Sequence, residues 1–286
     1  MLSYQRDFRV FRAWCEAAER SVLPATTDTV ELYCVDMLRR NRKISTLKRH
    51  LVGIQHYHRA AGHPSPCGPS VHALLSGAQR ILCQQPEQKE ALSSAQLRQI
   101  VTKLGRKTPI TARDSALLLF AFASALRRSS LARINLDDLT FVEAGILVRV
   151  LREKTDRKGE GRIAAVKRGA RAVTCPVRAI EVWLSFRGKA EGPLFCHVMH
   201  GKPILKRLLG NRIGQIVQAA VQLIGLDPAR FGAHSTRAGM CTEALTNGCD
   251  ALLVARHVGW KSAETVSIYM RQRNPWKGHI GKFLGL

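Results

Sequence analysis

The stretch around which the chain is organised lies between residues 231 and 271. Residues 231–240 read F-G-A-H-S-T-R-A-G-M, and residues 257–271 read H-V-G-W-K-S-A-E-T-V-S-I-Y-M-R. His234 and Arg237 are three residues apart, so a helix that begins near His234 places both side chains on one face of its first turn. The N-terminus of a helix attracts anions, because its first N–H groups are unpaired and the helix dipole is positive there. An imidazole and a forked guanidinium added to it make a site suited to a phosphate.

Two glycines and a serine divide the remainder of this stretch. Gly248 predicts the end of the helix that starts near His234, and Gly259 directly precedes Trp260. Ser262 can cap a short final helix that carries Tyr269. Tyr269 then follows Trp260 by nine residues.

The chain is strongly basic. The formal net charge of its 286 residues is +24, of which residues 1–90 contribute +5 and residues 91–286 contribute +19. A positive field of this size favours a polyanion, so nucleic acid is the leading partner. The alternative is a basic enzyme without such a partner. A membrane surface is disfavoured, because the charge does not concentrate on one amphipathic segment.

Length and composition predict one large or two ordinary domains in the cytoplasm. Hydrophobic residues make up 45% of the chain, which is enough for a sizeable core. No apolar run reaches the roughly 18 residues that a membrane span needs, and residues 1–20 lack the apolar segment of a secretory signal. The eight cysteines form no C-x-x-C pair, so we expect them to be reduced. Cys196, His197 and His200 resemble metal ligands but lack a second pair, so no metal is expected.

The first part of the chain predicts four helices, at residues 3–18, 27–38, 45–61 and 70–83. Ser45 or Thr46 can cap the third helix, and Gly62 can end it. Basic residues cluster around its start and along one face. We predict that these residues contact DNA phosphates, the alternative being a merely solvated face: Arg39, Arg40, Arg42, Lys43, Lys48, Arg49 and Arg59.

A polar stretch at residues 84–91, with Pro86, predicts a boundary between domains at 1–86 and 87–286. A helix is expected from Ser93 or Ser94 to residue 104, followed by a long apolar helix at 111–126. Arg127 and Arg128 come next, before a short helix at 130–134. An arginine at the end of a buried helix needs an anionic partner, either a ligand or a carboxylate such as Asp137 or Asp138.

The second domain is predicted to be mainly helical with a small antiparallel sheet. Residues 146–151 and 162–166 read as two strands that flank a glycine-containing loop, and Lys154 sits where the first strand ends. Helices are expected at residues 176–186 and 205–224.

These motifs, in this order, resemble the tyrosine recombinases of the phage integrase family. The H-x-x-R pair, the G-W and the tyrosine nine residues later match the family's catalytic end. The stretch A-L-R-R-S-S-L-A-R-I-N-L-D-D-L at residues 125–139 matches its first arginine motif, and E-K-T-D at 153–156 matches its lysine motif. The family usually carries an acidic residue three positions after the first arginine, where this chain has Ser130.

The resemblance implies a catalytic set and a role for each member. The two arginines hold the non-bridging phosphate oxygens, the lysine protonates the leaving 5′ oxygen, the histidine deprotonates the tyrosine or orients the phosphate, and the tryptophan supplies an N–H donor and packing surface. The tyrosine is the nucleophile and forms a 3′-phosphotyrosine. Neither a metal nor ATP is needed. The implied catalytic residues are Arg127, Lys154, His234, Arg237, Trp260 and Tyr269.

The resemblance also implies an architecture and an activity. We expect a SAM-like, four-helix core-binding domain and a catalytic domain, without an arm-binding domain, acting as a tetramer on two DNA sites with possible DNA-bending accessory proteins. The implied function is site-specific recombination or integration. A type IB topoisomerase-like relaxing enzyme and a catalytically impaired DNA-binding relative are the alternatives.

Overall fold

The chain divides into two compact units, Met1–Glu87 and Gln88–Leu286, called here the first and second units. The computed structural model describes residues 2–83, 88–151, 161–260 and 266. Lys154, Tyr269 and the predicted final helix lie outside these described residues.

Between residues 2 and 83, the first unit has four helices around one apolar core. They are α1 (Leu2–Ala17), α2 (Thr27–Arg39), α3 (Ile44–Ala60) and α4 (Pro69–Leu82). α1 packs along α3, and the fully buried side chains of this core include Phe11, Tyr33, Leu47 and Ile54. The predicted cap of α3 at Ser45 or Thr46 is wrong. Ile44 is already helical and buried, so the helix begins one residue earlier, with Lys43 at its N-cap position.

The second unit is mainly helical. Along the described residues its elements are α5 (Ser94–Leu104), α6 (Pro109–Ser124), α7 (Arg128–Arg133), a 3₁₀ turn (Leu136–Asp138), β1 (Leu139–Val142), β2 (Gly145–Val150), β3 (Arg162–Lys167), α8 (Pro176–Arg187), β4 (Cys196–Met199), β5 (Lys202–Arg207), α9 (Gly210–Gln222), a 3₁₀ turn (Pro228–Arg230), α10 (Ser235–Thr246) and α11 (Ala251–Val258).

α6 is the centre of the second unit. It is apolar on nearly every side, which is typical of a helix buried all round, and α5, α8 and α10 pack against it. The helix starts at Pro109, two residues before the predicted beginning, and Thr108 caps it together with Thr111. Ala125, in the left-handed region at φ 48°, ends the helix before the predicted residue 126.

Among the described residues of the second unit, two small antiparallel sheets flank the helices. β1, β2 and β3 form one sheet in that order, with Val148 opposite Ala164 and Val150 opposite Arg162. β4 and β5 form a separate hairpin. The two predicted strands are present as β2 and β3, whereas β1 and the hairpin were not predicted.

The predicted helix at 205–224 starts too early. Residues 202–207 pair with β4 across a turn at Gly201 (φ 74°), and the helix α9 begins only at Gly210. The apolar spacing of this region suits either structure, and the long-range pairing decides for a strand. The short helix predicted at 130–134 also begins earlier, at Arg128, because Arg127 has the extended backbone of an N-cap residue.

Every helix within the described ranges is too short or too polar to span a bilayer. The described residues also hold no group of three His, Cys, Asp or Glu side chains placed to bind a metal ion, and this includes the surroundings of Cys196, His197 and His200.

Candidate active site

α10 carries the H-x-x-R pair, as the spacing predicted. His234 is its N-cap residue and Arg237 lies in its first turn. The Ser235 hydroxyl accepts a hydrogen bond from the Gly232 N–H at 3.0 Å, which closes the turn that leads into the helix. This bond fixes the backbone at the start of the helix.

Arg237 is 2% exposed and connects three parts of the second unit. Its Nη1 donates to the carbonyl of Ala125 at 2.5 Å, beyond the end of α6, and its Nη2 donates to the carbonyl of Val258 at 3.3 Å, at the end of α11. Its guanidinium carbon lies 5.4 Å from the centroid of the Trp260 ring, within cation–π range. The predicted arginine and tryptophan are thus in contact.

The turn after α6 brings the first arginine to the same place. Ala125 is fully buried with φ 48°, a conformation that turns its carbonyl toward Arg237. Arg127 follows two residues later and is half-buried, with its Nη1 atom below the surface. Arg128, by contrast, is exposed and lies against Gly210. This placement favours Arg127 over Arg128 as the arginine of the site.

Arg237 and Arg127 both lie close enough to His234 for their charges to act on its pKa. The atoms packed around His234 lower its pKa below the usual 6.5 by desolvation, although part of the side chain is solvent-accessible. The positive charges of Arg237 and Arg127 lower this pKa further. His234, Arg127 and Arg237 therefore share one region of positive potential, in which the imidazole is neutral at pH 7.

α10 is seated by a close backbone contact. A Cβ at Gly239 would lie 1.8 Å from the carbonyl oxygen of Leu92, so glycine is required for this approach. The Leu92 N–H donates to the Ser235 carbonyl at 2.9 Å, and the Ser94 N–H donates to the Glu243 carboxylate at 2.5 Å. The segment before α5 thus fixes the helix that carries His234 and Arg237. Sequence reasoning did not find this role, although a glycine inside a helical pattern is a signal for close packing.

Ser130 stands where the family usually has an acidic residue. It lies in α7 and is 5% exposed, within one turn of Arg127.

Asp138, one of the two carboxylates considered as partners for an arginine, is bound elsewhere. It accepts from the Asn135 N–H at 2.9 Å and from Arg149 Nε at 3.3 Å.

The basic residues predicted to contact DNA are all exposed in the first unit. They are Arg39, Arg40, Arg42, Lys43, Lys48, Arg49 and Arg59. Some of them have polar partners at the surface: Arg40 pairs with Asp36 at 3.0 Å, and Lys48 donates to Gln79 at 2.8 Å. These exposed contacts stabilise little and are easily exchanged for a phosphate.

Arg49 differs from the others, because it is bound to a buried carboxylate. Its Nε and Nη2 donate to the two oxygens of Asp7 at 2.6 and 3.0 Å, and Asp7 is 1% exposed. Burial alone would raise the pKa of Asp7, but the Arg49 hydrogen bonds and the charges of His50, Arg49 and Arg6 outweigh it and lower the pKa. Arg49 therefore has a structural role in joining α3 to α1, and its DNA contact stays a prediction.

Comparison with known proteins places these features in a family. The model of the phage integrase family matches residues 90–274. The chain belongs to the phage integrase family. This integrase is 30% identical over 280 residues to an integrase/recombinase xerD homolog of Selenomonas ruminantium, covering 96% of this chain and 82% of the relative. It is 25% identical over 300 residues to the recombinase cre of Escherichia phage P1, covering 96% and 84%.

Solved structures agree with the integrase fold. A lambda integrase dimer bound to a COC′ core site superposes with a TM-score of 0.62 at 14% identity, covering 94% of this chain and 87% of that one. The XerH site-specific recombinase bound to difH substrate gives a TM-score of 0.60 at 15% identity, covering 92% and 73%. At these identities the likeness concerns the fold, which is mainly helical with small antiparallel sheets as predicted.

Proposed function

We propose that this chain is a site-specific DNA recombinase in which Tyr269 attacks a DNA phosphate and becomes joined to the 3′ end of the cut strand. Membership of the tyrosine recombinase family supports the reaction class: the chain is an enzyme that breaks and rejoins DNA. The observation that carries the proposal for the site is the gathering of Arg127, His234 and Arg237 at the start of α10.

The reaction needs positive charge more than it needs a strong nucleophile. As the Tyr269 oxygen bonds to phosphorus, negative charge grows on the two non-bridging oxygens. Arg127 and Arg237 would hold these oxygens, and such preorganised electrostatic stabilisation is usually the largest single contribution to catalysis. The bonds that orient Arg237 go to carbonyls, which fix the guanidinium in advance of substrate.

Two proton transfers accompany the exchange of one phosphodiester for another. The phenol proton of Tyr269 passes to His234, which can accept it because its lowered pKa keeps it neutral. The bond from phosphorus to the 5′ oxygen breaks, and that oxygen takes a proton from the ammonium of Lys154. The bond energy stays in the phosphotyrosine, so a returning 5′ hydroxyl reverses the step without ATP.

The protein binds DNA, and the exposed basic residues of the first unit supply phosphate contacts. Contacts of this kind add affinity and salt dependence but little sequence selection. Exchange between two duplexes requires two cut sites together, so we place four copies on paired sites, with DNA-bending accessory proteins where a site needs them. The enzyme would work in the cytoplasm at the nucleoid.

A substrate with a nick next to the cleavage site tests the reaction. The short fragment released by cleavage diffuses away, so the protein–DNA adduct accumulates. The wild-type chain should form this adduct, and Tyr269→Phe should bind the same DNA without forming it. An adduct at the wild-type level in Tyr269→Phe would remove Tyr269 from its role.

The same preparation separates the alternatives. An adduct together with strand exchange between two sites supports the recombinase. Relaxation of supercoiled DNA without exchange would instead identify a topoisomerase-like enzyme, and binding without adduct would identify a catalytically impaired relative. Mass measurement of the complex on paired sites should give four copies, and two copies at full exchange activity would overturn the tetramer.

A further inference from the structure

Arg162 joins the three-stranded sheet to the end of α11. It is the first residue of β3 and follows the segment that contains Lys154 in the sequence. Its backbone is opposite Val150 in β2, so the three-stranded sheet fixes its position. Its side chain leaves the sheet and reaches the end of α11.

The guanidinium of Arg162 binds the last carbonyls of that helix. Nη1 donates to the carbonyl of His257 at 3.1 Å, and Nη2 donates to the carbonyl of Val258 at 3.4 Å. A helix ends with carbonyls that have no intrahelical partner and with the negative end of its dipole, and both features favour a cation. These bonds fix the C-terminal end of α11, a helix of eight residues.

The same carbonyl connects Arg162 to the phosphate-binding arginine. Val258 O accepts from Arg162 at 3.4 Å and from Arg237 at 3.3 Å, so the two guanidiniums meet at one atom. Trp260, two residues later, lies against Arg237. Any movement of the end of α11 therefore moves a hydrogen-bond partner and a ring contact of Arg237 together.

Gly259 makes the contact possible. It ends α11 in the left-handed region at φ 73°, and a Cβ there would lie 2.6 Å from Arg162 Nε. Glycine at this position thus serves both the backbone conformation and the approach of the Arg162 side chain.

We propose that Arg162 is a positioning residue for DNA cleavage: it ties the end of α11 to the sheet and so holds Arg237 and Trp260 in place. Arg162 acts through α11 and needs no contact with the DNA. This inference rests on the proposed function, because its readout is cleavage. Its effect belongs to phosphate binding and tyrosine attack, and is separate from protonation by Lys154.

The first experiment compares Arg162→Ala with Lys167→Ala, which removes one positive charge from the other end of the same strand. Single-turnover cleavage by Arg162→Ala at saturating DNA should fall by up to about 100-fold, the loss that misplacement by roughly 1 Å produces. DNA affinity and the folded fraction should stay close to those of Lys167→Ala. Arg162→Lys should be intermediate, since an ammonium can bind one of the two carbonyls. Equal cleavage by the two alanine variants would overturn the proposal.

A second substrate shows whether Arg162 acts on phosphate binding and tyrosine attack or on protonation of the leaving oxygen. Replacing the bridging 5′ oxygen by sulfur gives a leaving group that departs without a proton. Lys154→Ala should recover on this substrate, whereas Arg162→Ala should keep its defect. Recovery of Arg162→Ala would assign Arg162 to proton delivery and overturn the proposal. Absence of any adduct with the wild-type chain on either substrate would instead refute the proposed function, so the two failures are distinguishable.

A third measurement tests the contact itself. Gly259→Ala should slow cleavage more in the wild-type background than in the Arg162→Ala background, because the second background removes the side chain that the new methyl group would meet. The strain of a left-handed alanine remains in both backgrounds and cancels in the comparison. If the cleavage rate of the double variant is reduced by the product of the two single-variant factors, Arg162 and Gly259 are not coupled. That result would overturn the proposal.

Discussion

The contact between α10 and Leu92 leads to a prediction about two glycines that both lie inside helices. Gly239 in α10 is so close to its neighbours that an added Cβ would lie 1.8 Å from Leu92 O, 2.8 Å from Leu92 C and 3.1 Å from Phe122 Cε2. Apart from its chain neighbours and the nearby backbone of its own helix, Gly77 in α4 has no atom of the described residues within 4 Å of its Cβ position. Alanine at these two positions should therefore have opposite effects.

The magnitude for Gly239→Ala follows from these distances. Real Cβ contacts stay beyond 3.0 Å, so α10 and the Leu92 backbone must separate by about 1.2 Å, in an interior that is close-packed. Overpacking of this kind costs about 1–3 kcal/mol, only partly offset by the ~1 kcal/mol that alanine gains over glycine in a helix. Because α10 carries His234 and Arg237, the same displacement should slow cleavage by about 100-fold.

Gly77→Ala causes no clash, so this variant should gain roughly 0.5–1 kcal/mol in the free energy of unfolding with no opposing packing cost. Thermal unfolding of both variants and single-turnover cleavage of the nicked substrate at saturating DNA provide the assay. Gly77→Ala should be as active as wild type and at least as stable. A Gly239→Ala variant that matches wild type in both stability and cleavage rate would refute the reasoning.

Three further substitutions have defined outcomes. Arg237→Ala should slow cleavage by about 10²–10³-fold at saturating DNA, as loss of one charge-stabilising donor does; an unchanged single-turnover rate would contradict the phosphate clamp. As the pH is lowered, cleavage by the wild-type chain should begin to fall only below 6.5, through the lowered pKa of His234. His234→Gln should abolish this acid limb and be about 10²–10⁴-fold slower, so a pH–rate profile that keeps the limb would assign it to another group. Asp7→Asn should destabilise the first unit at pH 7 by about 1.5–3 kcal/mol, the value of hydrogen bonds to a charged group. Since the folded pKa of Asp7 is lowered, the wild-type chain has this stability above about pH 4 and loses it as the pH falls through that pKa, so urea unfolding of the two proteins should converge in acid.

The parts of the fold that depend on local sequence were the ones that could be predicted. The spacing of His234 and Arg237 placed them on the first turn of α10, and the apolar pattern at 111–126 predicted the buried helix α6. The start of β5 could not be assigned, because its apolar spacing also fits a helix and only the pairing with β4 selects a strand.

The candidate site was predictable as a set of residue types, but its supports were not. The motif placed Arg127, whereas the left-handed turn at Ala125 and its bond to Arg237 join residues 112 positions apart. Arg162 carried no motif signal, since its partners lie 95 and 96 residues away. Contacts between residues so far apart in the sequence depend on the packing of the whole second unit, and local propensity does not predict this packing.

The supports also explain how a chain of net charge +24 can gather several cations in one place before DNA arrives. Arg237 binds the carbonyl of Ala125 just beyond the end of α6 and that of Val258 at the end of α11, and Arg162 binds the second of these as well. Both are C-terminal helix ends, where the dipole supplies about half a negative charge. A carbonyl at such an end orients a guanidinium and reduces its repulsion from its neighbours without adding the full negative charge of a carboxylate. The site can therefore be preformed and still present positive charge to a phosphate. In the candidate site, buried backbone turns therefore set the geometry together with the motif residues.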